Sequence, residues 1–171
     1  MADGQIKERG MNIIEAIRRH PLFQKHYRQL EQAEKERRFC RHQMDHLLDV
    51  ARIAYIQNLE AGLGFSKEMI YAAAILHDIG KAVQYEQGIP HEAVSAEIAG
   101  VILDDVQNSF SEEEQQEILR AVRRHRKYRE DMTPFEKLLY TSDKKSRQCF
   151  ACHVEQECNW SMEKKNMGID I

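Results

Sequence analysis

The 171-residue chain has little of what interrupts helices: eight glycines and three prolines. That scarcity disfavours a turn-rich sandwich or barrel and favours helices. Long apolar runs are missing too. The longest, residues 69–76, falls far short of the roughly 20 residues that cross a bilayer. The opening "MADGQIKERGMNIIEAIRRH" mixes charges throughout and has no apolar stretch of the secretory kind, so a cytoplasmic protein with no membrane partner is expected. Neither sign of charge dominates: 25 Lys and Arg against 28 Asp and Glu leave a net charge of −3, which argues against an extended nucleic-acid surface. In a reducing compartment the four cysteines (Cys40, Cys149, Cys152 and Cys158) are expected as thiols or metal ligands rather than disulfides.

What remains is 42% hydrophobic and 31% charged, the balance of a globular domain long enough to bury a core. Ile13, Ile14 and Ile17 share one side of a short helix over residues 11–19, stopped near Pro21. From Leu22 to about Glu60 the spacing of Leu47, Val50, Ile53, Ala54 and Ile56 predicts one or two long helices. Ser66 caps a helix running to Asp78 or Ile79, with Gly80 as its stop and "YEQGIP" as a loop. His91 opens a helix rich in small residues. Ser111 and Glu114 form a capping box for a helix continuing through "RAVRRHRKY". Thr133 and Pro134 start another, through "FEKLLYTSDKKSR". The tail from "CFACHVEQECNW" reads as irregular or weakly helical. The expectation is an all-α bundle of about six or seven helices. Its division is an N-terminal helical extension over 1–36, a core domain over 37–147 and a cysteine-containing segment over 148–171.

The adjacent His77 and Asp78 end the alanine-rich "YAAAIL". Helix carbonyls there present the negative end of the dipole, which favours a cation, and imidazole plus carboxylate suits a divalent transition metal. A solvated helix end is the bland alternative. His46 shares a helical side with Val50 and Ile53 and should face inward. Asp143 follows Leu139 by four and Tyr140 by three, so its carboxylate points to the packed face, where it needs a cationic partner. His91 sits at a helix start, and His125 lies inside a helix with Ile118 and Val122.

The ordered set His46, His77-Asp78, His91, His125 and Asp143, in the contexts "HLLDVARIA", "AAAILHDIGK", "HEAVSAEIA" and "LLYTSDKKSR", resembles the HD superfamily of metal-dependent phosphohydrolases. Having His91 and His125 besides the minimal set resembles its two-metal branch, most of all the bacterial group that hydrolyses diadenosine tetraphosphate symmetrically. Ser142 and Arg126 depart from that group's pattern. The resemblance implies that His46, His77, Asp78 and Asp143 hold one metal, and that Asp78 bridges to a second held by His91 and His125. Iron, manganese and zinc all suit such ligands. The implied activity is hydrolysis of a nucleotide or related phosphate ester by metal-activated water, with Asp78 and Lys81 as catalytic residues.

Phosphate needs cations. Lys81, three positions beyond Asp78, is the best placed. "RAVRRHRKYR" packs six Arg or Lys into ten residues, so Arg124, Arg126 and Lys127 are candidates, and Arg147 has a counterpart in the resembled group. His42, one turn before His46, is expected to be exposed, with a supporting role as the alternative. His20, His26 and His153 have no convergent partners.

Cys149, Cys152 and Cys158 form C-x2-C-x5-C. Cys40 precedes His46 by six residues and Cys149 follows Asp143 by six, so on antiparallel helices each would lie about 9 Å from the metal on the same side. Cys40 could then complete a four-thiolate site for zinc or an iron–sulfur cluster, with His153 as an alternative ligand. Two rivals stand beside the hydrolase: a diiron oxygenase of the same fold, and a non-catalytic protein that senses a nucleotide or redox state. An oligomeric assembly is left open.

Overall fold

The computed structural model describes residues 13–106 and 109–169. Residues 13–19 (α1) are helical; the first two positions of the expected 11–19 helix lie outside the described residues. The helices that follow are α2 (Pro21–Ala33), α3 (Met44–Glu60), α4 (Lys67–Leu76), α5 (Lys81–Gln87), α6 (His91–Asp105), α7 (Glu112–Arg124) and α8 (Pro134–Lys145). No strand occurs among the described residues. The architecture is an all-α helical bundle.

α4 is its axis. Ser66 Oγ accepts from the Met69 N–H at 3.2 Å and starts the helix, a cap contributing about 1 kcal/mol. Met69, Ile70 and every residue from Ala72 to Leu76 are buried, as expected of a helix apolar on all sides. Its alanines admit α3 and α7 on either flank, while α8 packs against α3 and α7. Truncating a fully buried side chain such as Leu76 to alanine would cost about 2–5 kcal/mol. α1 and α2 contribute Ile17 and Phe23 to the same core.

One expectation is settled and three change. The stretch from Leu22 to Glu60 is two helices, because the chain turns at residues 34–43 around the buried Glu34. Residues 85–87 of "YEQGIP" are helical; only Gly88, in the left-handed region at φ 73°, ends the turn. Gly80 is not a stop. It precedes α5 with φ −86°, and a Cβ there would meet the Ser95 nitrogen at 2.7 Å and Val94 Cβ at 2.8 Å. Its role is close approach: α6 crosses so tightly that the Gly80 N–H donates to Ser95 Oγ at 2.9 Å. Finally, α7 ends at Arg124, so His125 lies at the helix terminus rather than inside the helix.

The tail makes two 3-10 turns, Cys149–Ala151 and Glu155–Glu157. It returns to the end of α8 through Asn166 Nδ2, which donates to the Lys145 and Arg147 carbonyls at 3.0 and 2.8 Å. Lys165 Nζ pairs with Glu155 at 2.7 Å.

Candidate metal centre

Two helix ends are built alike. His77 follows α4 and His125 follows α7; the Nδ1–H of each donates to the carbonyl three residues back, Ala74 at 2.6 Å and Val122 at 2.7 Å. His91, at the first position of α6, donates from Nδ1 to Gln84 Oε1 at 2.5 Å. Ser146 spends its single hydroxyl proton on the Asp143 carbonyl at 2.6 Å, so its oxygen accepts from His46 Nδ1 at 3.1 Å. Every imidazole is thus anchored at Nδ1 and presents Nε2 inward, as is found behind metal-binding histidines.

The inward atoms converge on Asp78, which is 3% exposed. Its Oδ2 lies 3.0 Å from His77 Nε2 and 3.3 Å from His46 Nε2; its Oδ1 lies 3.1 Å from His91 Nε2 and 3.4 Å from His125 Nε2. Asp143 Oδ1 completes the first side, 3.3 Å from His46 Nε2. Ligand atoms of His46, His77, Asp78 and Asp143 fall within 4.8 Å of one another, and so do those of Asp78, His91 and His125. The structure therefore brings all six expected ligands together as two sets joined by Asp78.

The donor set fits divalent cations. His46 and His77 approach at 3.3 Å between Nε2 atoms, His91 and His125 at 3.1 Å. With Nδ1 holding the proton, each contact sets lone pair against lone pair beside a buried carboxylate, an arrangement that calls for positive charge. Protons supply part of it. Burial opposes charge on His77, yet the Asp78 and Asp143 carboxylates outweigh it and push the imidazole up to about 10. Burial likewise works against ionised Asp78, but the surrounding imidazoles, His77 foremost, hold it well below the ordinary carboxylate range. His125, where burial prevails, is lowered.

A cavity of about 550 Å³ opens over Asp78, His91, His125 and Asp143. Arg37, Lys81, Arg126, Lys144, Arg147 and Lys164 bring cationic groups to its wall. Lys81 Nζ lies 3.4 Å from His91 Nδ1, and burial lowers its pKa. Of the cations expected from sequence, Lys81, Arg126 and Arg147 line the cavity. Arg124 does not: it is tied to Asp131 at 2.6 Å and to the buried Glu136 at 3.3 Å. Lys127 is exposed and also absent from the wall. Arg124 is held away by its two carboxylate partners, and Lys127 lies beyond the end of α7.

His42 corrects the expectation of an exposed side chain. It is 8% exposed, lines the cavity, and pairs through Nδ1 with Glu34 Oε1 at 2.5 Å, an oxygen that Tyr85 also reaches at 2.8 Å. Burial pushes its imidazole down to about 3. Glu34, Gln84, Arg37 and Lys164 escaped the sequence reading because their partners lie on other elements. Gln84 alone left a signal, its position one turn beyond Gly80. His20 caps α2 and meets Asp105 at 3.0 Å, while His26 and His153 stay outside the centre.

The sequence profile of the HD domain family matches residues 44–148, more than half of the chain. The chain belongs to the HD domain family. An uncharacterized protein of Clostridium beijerinckii is 50% identical over 136 residues, covering 80% of this HD protein and 84% of the relative. The crystal structure of a predicted HD superfamily hydrolase from an uncultured Thermotogales bacterium matches with a TM-score of 0.59 at 20% identity, covering 84% of this chain and 81% of that one, a likeness of fold. No helix among the described residues is long and apolar enough to cross a membrane.

The cysteines are free and do not sit on helices as expected. Cys40 lies in the turn before α3, and Cys149 opens a 3-10 turn. All four nevertheless line a second cavity, of about 420 Å³, which shares Arg37, His42, Lys81, Asn159 and Trp160 with the first. Their sulfurs form no set of three within 4.8 Å of one another.

Proposed function

We propose that this HD protein is a metal-dependent phosphohydrolase that cleaves a nucleotide or related phosphate ester or anhydride, akin to the two-metal bacterial group that hydrolyses diadenosine tetraphosphate symmetrically. The observation that carries the reading is the division of Asp78: one carboxylate oxygen faces His46 and His77, the other His91 and His125, beneath a cation-lined cavity. Iron, manganese or zinc suits both sets, with His46, His77, Asp78 and Asp143 holding one ion and Asp78, His91 and His125 the other. Divalent ions held there supply Lewis acidity toward a water and toward the phosphoryl oxygens.

The chain's own residues do the rest. Gln84 and the Ala74 and Val122 carbonyls fix the imidazoles, so little reorganisation remains when substrate arrives. Lys81, beside His91, neutralises phosphoryl charge or steadies the leaving group, and Arg126 and Arg147 take further phosphate oxygens. A volume of about 550 Å³ lies in the range of small-molecule sites. The cations favour this reading over oxygen chemistry or a sensor without catalysis, since neither needs a polyanion cradle.

The test is phosphate release from a panel of nucleotides and dinucleoside polyphosphates by protein loaded with each metal. Asp78→Ala should lower turnover by at least about 10³-fold. Oxygen consumption by the iron-loaded protein without phosphate release would replace this reading with the oxygenase.

A further inference from the structure

The second cavity has a composition that the HD centre does not explain. Three cysteines from the tail and Cys40, more than 100 positions earlier, meet around one space. The three tail cysteines belong to a segment with two 3-10 turns and, among the described residues, no other regular structure after α8. Cys149 is 8% exposed and the others are half-buried. Thiols gathered in this way but unbridged usually serve a metal.

Spacing separates the two candidate occupants. A single zinc at about 2.3 Å from four thiolates would draw the sulfurs to about 3.8 Å from one another. Here no three sulfurs lie even within 4.8 Å of one another, although all four face the same 420 Å³. Such corners suit an occupant larger than one ion. Its charge would also be met. A cluster held by four thiolates is anionic; Arg37 and Lys81 line the same space, where Glu155 is paired with Lys165 and Glu157 with Arg38. Arg147, 7% exposed, lines the adjoining cleft with Cys40, Cys149 and Cys152, and its buried Nε–H has no hydrogen-bond partner. Phe39 and Trp160 supply the apolar part of the wall.

We infer that Cys40, Cys149, Cys152 and Cys158 hold an iron–sulfur cluster beside the HD centre, and that the cluster pins the C-terminal segment against the catalytic cavity. Trp160, Ser161 and Lys164, which line that cavity, all follow Cys158 by a few residues. The inference stands apart from the proposed activity.

Trp160 is the single tryptophan, so the test has a built-in reporter. Protein purified without air is treated with ferric iron, sulfide and a thiol reductant, then desalted. Acid-labile sulfide bound in step with iron, a visible charge-transfer band and quenched tryptophan fluorescence are expected in wild type and equally in Asp78→Ala, which spares this pocket. Cys152→Ser should lose all three signals. If that variant does not fold, iron-edge X-ray absorption on wild type decides the matter, with sulfur ligation and short iron–iron distances expected. Zinc bound by the thiols in place of iron, iron without labile sulfide, or no retained metal at the cysteines would each overturn the inference.

Discussion

The His/Asp centre and the cysteine pocket share a wall, yet they hold their ligands by different means. In the first, each imidazole is fixed by a second bond: His77 and His125 to the carbonyl one turn back, His91 to Gln84, His46 to Ser146. Those anchors belong to helices or their ends, packed on a common core. In the second, the cysteines ride on turns, tied to the bundle by contacts such as Asn166 to the end of α8 and Arg38 to Glu157 at 3.0 Å. The first site is formed in advance of any metal; the second would be completed by the cluster inferred above.

The largest expected difference is in local opening. Protein stripped of metal should be cleaved by trypsin at Lys164 and Lys165 at least about 100-fold faster than within α3 to α8, since only the helices open at a cost near that of global unfolding. Peptide mapping reads this, and uniform cleavage would sink the contrast. Next comes Gln84→Ala, which frees His91 Nδ1. Affinity for the second ion should fall about 10–100-fold with the cysteine centre unaffected, measured by competition with a chelating dye.

The proton on His77 gives a smaller graded effect. In metal-free protein its pKa is about 10 against an ordinary 6.5, so the folded state holds an extra proton between those values. That contribution to stability is complete below about pH 6.5 and is lost as pH rises toward 10. A metal must displace the same proton, so affinity should climb by up to about tenfold per pH unit over that window. Calorimetry in buffers of different ionisation enthalpy counts the proton released, and a flat profile would show that His77 is not a ligand. Smallest is the pair Arg126→Ala and Lys127→Ala. The half-buried Arg126 on the cavity wall should raise KM about three- to tenfold, whereas the exposed Lys127 should change it less than twofold.

The sequence made the candidate ligands legible because each carries its own local signal. Ser66, Ser111 and Thr133 announce helix starts, and His46 and Asp143 lie on apolar faces whose period can be counted. Where the reading failed, the deciding partner was remote. Gly80 looked like a stop because the crossing of α6 at Ser95 leaves no trace near residue 80. His42 looked exposed because Glu34 and Tyr85, which enclose it, come from α2's end and α5. Arg124 and Lys127 looked like phosphate binders because charge density was visible, whereas the pairing of Arg124 with Asp131 and Glu136 and the end of α7 before Lys127 were not.

The paired endings of α4 and α7 also say which insertions the chain could survive. A helix with a capped start and a ligand at its finish works as a measured strut. One residue added between Ser66 and His77, or between Ser111 and His125, would advance the imidazole by about 1.5 Å and swing it through about 100°. The first insertion would carry Asp78 along with His77, away from His46, His91 and His125; the second would leave Asp78 facing an empty quarter where His125 stood. These two intervals should be fixed in length among working relatives.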